Sequence, residues 1–156
     1  MSTITNYDYL LRNYYSSNRL ARKSYNRVNM KSSELASADS AAIKKVAKTL
    51  KDMEYNSDNG VSIYNNVKAF VDTYNNRSEN ADKDPTMSKY WKRLKKVIKD
   101  NSSDLEDIGI SIKSSGKLEV DKTKLVSCSP EKIGKVLSGD NTITKSVMDY
   151  AARIQR

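Results

Sequence analysis

"LEDIGISIKSSGKLEVDKTKL", residues 105–125, is the stretch on which the fold turns. Ile108, Ile110 and Ile112 alternate, which places them on one face of a strand. Leu118 and Val120 alternate after them. A three-residue loop, Ser114-Ser115-Gly116, sets Ile112 opposite Leu118 and Ile110 opposite Val120. A two-residue loop would set Ile112 against Glu119 and break the apolar face. Register therefore selects the longer loop, with Gly116 in the left-handed conformation it requires. The expectation is a small β-hairpin over about 108–120. A two-stranded ribbon is marginal alone in water, so its apolar face must roof helices. Asp121 is placed to cap a short turn through Leu125.

The rest of the chain reads as helix. Glycine and proline are scarce, five and two in 156 residues. Leu35, Ala42, Ile43, Val46, Leu50 and Met53 form one face of a helix over 33–53. "YNSDNG" (55–60) ends it as a plain turn. A calcium loop does not fit, because Tyr55 and Asn66 would stand where acidic ligands are needed. Ile63, Val67, Phe70, Val71 and Tyr74 line a third helix. "NNRSENADKD" (75–84) reads as a polar linker. Asp84-Pro85 offers a start for a fourth helix, with Met87, Tyr90, Trp91, Leu94, Val97 and Ile98 inward. Ser103 and Glu106 suggest a capping box before the hairpin. Ser129-Pro130 opens a helix with Ile133, Val136 and Leu137, which "SGDN" (138–141) breaks.

Both ends carry heptad-like seams. The first is Ile4, Tyr7, Leu11, Tyr14, Asn18, Ala21, Tyr25 and Val28, with Asn18 at an a position. The last is Ile143, Val147, Tyr150 and Ile154. These residues are the expected interface with a second copy or a partner. The fold class is mainly α: an elongated helical bundle with coiled-coil-like terminal helices and one hairpin. The chain is expected to be a single domain over 1–156.

Composition bounds the chemistry. Apolar residues make up 37%, against about 45–50% in globular domains, which implies a thin core or one completed by partners. No apolar run exceeds three residues, so neither a membrane span nor a cleaved secretory signal is expected. The chain has no histidine, which removes the commonest general base and metal ligand. The single Cys128 forms no intrachain disulfide and reads as a small, partly buried thiol. No glycine-rich phosphate loop, zinc cluster or catalytic triad is present in the sequence. No cofactor, metal or catalytic residue is expected, and the chain is not expected to be an enzyme. The net charge is +9, and "KYWKRLKKVIK" (89–99) puts Lys89, Lys92, Arg93 and Lys96 on one face. A solvated basic face is the expectation. Nucleic acid is not the expected partner, because Tyr90 and Trp91 share the stripe of Leu94 and Ile98 and so point inward.

Several segments together resemble the C-terminal part of the flagellar hook-associated protein 2 family, the filament cap proteins. Phe70, Val71, Tyr74 and Asn75 match its Phe-Val-x-x-Tyr-Asn helix. Leu105, Ile108, Gly109 and Ile110 match Leu-x-x-Ile-Gly-Ile. Gly116, Leu118, Asp121 and Leu125 match the segment after the hairpin turn. Pro130, Val136, Leu137, Ser138 and Gly139 match a Pro-led helix ending in Ser-Gly, with Leu137 in place of the usual aromatic. The resemblance covers 61–156 and does not extend to 1–60. It implies a cap-protein-like helical stem without the family's plate domains, a structural protein that assembles with itself or with axial flagellar proteins. It also implies signal-less export to the bacterial flagellum or exterior; without it, a cytoplasmic location is expected. A cytoplasmic adaptor and a basic nucleic-acid-binding module are the alternatives.

Overall fold

The computed structural model describes the backbone of residues 3–80, 88–139 and 142–155, and the side chains of 6–79, 89–139 and 143–153. It is mainly helical, with α1 (Thr3–Tyr14), α2 (Ser24–Arg27), α3 (Ser32–Asp52), α4 (Gly60–Asn80), α5 (Ser88–Asp100), α6 (Ser102–Asp107), α7 (Lys122–Ser127), α8 (Pro130–Leu137) and α9 (Thr142–Gln155). One antiparallel hairpin, β1 (Ile110–Ile112) and β2 (Leu118–Val120), lies between α6 and α7. The expected start at Asp84-Pro85 and the inward Met87 lie outside the described residues.

α3 is the axis of the molecule, packed against α9 on one side and α4 on another. Its alanines explain this. Ala38, Ala42 and Ala47 are buried beside Ile43, Val46 and Leu50, and small side chains at a contact let helix axes approach closely. α5 backs onto α9. Trp91, Leu94 and Ile98 face the core, and the Trp91 ring meets Tyr74 of α4 at 4.9 Å between centroids.

The hairpin has the expected register: Ile112 pairs with Leu118 and Ile110 with Val120. Gly116 takes φ +90° at the turn. Ile108 departs from the strand reading. It is buried, but it caps the end of α6, and Gly109 at φ +97° turns the chain before the strand begins. The Ser103–Glu106 capping box is not formed; the N-cap residue of α6 is Asn101. Asp121 and Ser129 do cap α7 and α8, accepting from the amides of Lys124 and Lys132. The turn at 55–60 is a short 3-10 helix whose Asn56 side chain accepts from the Asp58 amide at 3.0 Å.

Two further expectations are corrected. The first seam is not one continuous helix. α1 ends at Tyr14, and Ser16, Ser17 and Asn18 form the break. These residues compete for backbone hydrogen bonds and favour turns over helix interiors. Asn18 caps the following 3-10 turn instead of occupying a coiled-coil position. Nor is 75–80 a linker: α4 runs through it to Asn80, and Asn75, Asn76 and Glu79 find partners distant in sequence.

Candidate functional site

Those partners form the polar heart of the fold. Asp39 of α3 is fully buried. Arg27 grips it with two bonds, Nη1 to Oδ1 at 2.7 Å and Nη2 to Oδ2 at 2.8 Å. The same guanidinium donates to the carbonyls of Ala21 and Asn76. Tyr15 donates its hydroxyl to Asp39 Oδ1 at 2.8 Å and accepts from the Asn76 amide at 2.9 Å. Burial pushes the Asp39 carboxyl upward and the Arg27 guanidinium opposes it. Tyr15 is raised by its own burial, with the Asp39 charge adding to the effect. Arg77, also buried, lies 5.6 Å from the Trp91 ring centroid. The bonds to Asp39, Tyr15 and Asn76 fasten α2 and the turn after α1 to α3 and α4.

Asn75 fastens the hairpin to α4. Its side-chain amide donates to the Leu118 carbonyl at 2.9 Å and accepts from the Leu118 amide at 2.8 Å. Across the hairpin, the Asp121 amide donates to the Gly109 carbonyl at 2.7 Å. A Cβ on Gly109 would stand 2.9 Å from the Leu125 nitrogen, so only glycine lets α7 lie against this turn. Hairpin and α7 are thereby held on α4 as one unit.

α7, so held, forms one wall of a groove of about 810 Å³ between α1, α4, α7 and the start of α8. Ile63, Leu125 and Ile133 are buried along it, and Val61 and Val126 stand 63% and 64% exposed. Two lysines edge it, each over a tyrosine: Lys68 is 3.8 Å from the Tyr7 ring centroid and Lys122 is 5.2 Å from that of Tyr64. Tyr7 donates to Asp72, which also accepts from Lys68 at 3.3 Å. Burial raises the Tyr7 phenol well above its ordinary range, with the Asp72 charge reinforcing the shift. Cys128 is half-buried in the groove wall, its thiol 3.3 Å from the Asp107 carbonyl. Among the described residues no carboxylate side chain lines this groove, and no cluster of acidic, thiol or imidazole groups could hold a metal.

The terminal seams are divided by the fold. Tyr14, Ala21, Ile143 and Val147 are buried in the chain's own core, so they are not free to meet a second chain. Tyr7, Leu11 and Tyr150 are partly buried against that core. Tyr25 and Val28 are 71% and 83% exposed. Ile4 and Ile154 lie in helices, but their side chains are outside the described residues. The buried members of the seams are helix faces turned into the chain's own core, while Tyr25 and Val28 stand outward. The groove has no signature in the sequence because its residues come from separate segments.

The basic run is also rearranged. Trp91 is buried as expected, but Tyr90 is only half-buried and has cations around it. Among the described residues no helix is long and apolar enough to cross a membrane. Comparison with protein-family models, curated proteins and solved structures gives no match.

Proposed function

We propose that the chain is a non-enzymatic interaction protein, built like the helical stem of a flagellar filament cap protein, that takes an amphipathic helix of an axial partner into the groove beside α7. One observation carries this reading. Five of the residues that resemble the cap family are spread in sequence from Asn75 to Leu125, yet Asn75, Gly109, Leu118, Asp121 and Leu125 act on one another to hold the groove wall. An apolar channel with exposed valines is what helix-in-groove recognition requires.

The reading includes export without a cleaved signal. The test uses the full chain mixed with purified hook-junction and filament proteins, followed by light scattering. The wild type should form a complex, and Val61→Asp combined with Val126→Asp should lose it while keeping its helicity. A wild type that stays monomeric alone and with each axial protein would overturn the proposal. A complex unaffected by the double change would move the contact off the groove.

A further inference from the structure

α5 carries a charge pattern that the groove does not use. Lys89, Lys92, Arg93, Lys95, Lys96 and Lys99 are all exposed, while Trp91, Leu94 and Ile98 are spent on the core. Lys92, Lys95, Lys96 and Lys99 follow one another at the spacing of neighbours along a helix face. Lys96 pairs with Asp100 at 2.8 Å. Among the described residues none of the other five has a carboxylate at ion-pair distance.

The tertiary structure adds a cation that the run itself does not contain. Arg153 of α9 lies 5.8 Å from the Tyr90 ring centroid. Lys89 and Arg93 lie 4.9 and 5.9 Å from the same ring. Three cations from two helices are thus collected around one tyrosine, which attracts each of them through its electron-rich face. Gathering like charges raises the local potential, and an anion laid across them relieves it.

We propose that the α5–α9 face binds the phosphate backbone of nucleic acid. A regular row of cations matches a regular row of phosphates. An acidic protein surface fits less well, because protein interfaces have an apolar core depleted of lysine, and this row presents none. An anionic membrane fits less well for a related reason: the helix's apolar face is buried in the fold and cannot enter lipid. The inference shares no residue with the groove and stands independently of the proposed function.

The test is fluorescence anisotropy of a labelled DNA duplex, and a single strand of equal length, against the full chain over a salt series. The logarithm of affinity should fall linearly with that of salt. Lys89→Glu/Arg93→Glu/Arg153→Glu should weaken binding at low salt by at least ~10-fold and flatten the salt slope by about two to three. The control, Lys44→Glu/Lys48→Glu/Lys132→Glu, makes the same change in net charge on exposed lysines elsewhere and should bind nearly as wild type. Arg93→Lys/Arg153→Lys keeps the charge and should keep the affinity. If circular dichroism shows the glutamate variant misfolded, the glutamine version replaces it, with the same expected loss. Equal loss in both charge-reversed variants, absence of wild-type binding at low salt, or equal affinity for polyglutamate or anionic vesicles would each overturn the assignment.

Discussion

At the scale of single residues, the Arg27–Asp39 pair is the most consequential contact in the chain. Both charges are withdrawn from water, with side-chain exposures of 9% and 0%. Such a pair gives little net stability compared with apolar packing, but breaking it strands a buried charge. Arg27→Met should therefore destabilise the fold by about 3–5 kcal/mol in urea denaturation. Tyr15→Phe, which removes one hydrogen bond to the same carboxylate, should cost about 1.5–3 kcal/mol. Equal losses for the two would mean that Asp39 is held by geometry rather than by charge. None of this was legible from spacing. Tyr15 lies off the stripe that runs through Tyr14, and a lone aspartate among alanines has no periodic signature.

At the scale of elements, the hairpin register was readable because one face is apolar and the side-chain period is two. The glycine before it was not. Gly109 looks like an interruption of an isoleucine strand, and its role depends on α7, which folds back onto it. Gly109→Ala would meet both a left-handed backbone and the Leu125 nitrogen. The expected cost is about 1–3 kcal/mol, with hydrogen exchange accelerated in β1, β2 and α7 together. Acceleration confined to β1 would show that the two elements are not one unit. The segment 75–80 differs from its expectation for the opposite reason. Its composition is that of a linker, yet Asn75, Asn76 and Arg77 are spent on the hairpin, the Tyr15–Arg27 network and Trp91. Polar residues disclose a buried role only when their partners are distant in sequence and near in space.

At the scale of the whole molecule, the chain relies on tyrosine where larger cores use leucine and phenylalanine. The phenols of Tyr7, Tyr14, Tyr15, Tyr55 and Tyr74 are all raised, in each case chiefly by burial. Their unfolded counterparts ionise near pH 10. Stability from these groups is fully present below that pH and is lost as pH rises toward the folded values, because only the unfolded chain releases its protons there. Urea midpoints should fall steeply above about pH 10, with tyrosinate absorbance appearing together with the loss of helicity. Absorbance that rises well before helicity falls would mean the phenols ionise in place. Tyrosine abundance was plain in the sequence, but which rings lie inward was not, because their partners lie far along the chain.

The Asn75 amide has one more effect. Its two bonds occupy the peptide group of Leu118, whose N–H and C=O face away from β1 and would otherwise wait for another strand. An unpaired margin of this kind is where chains add to one another and aggregate. A helix side chain here does the work of a third strand, so β2 is closed to strand addition at Leu118 without the bulge, proline or added charge that proteins commonly use.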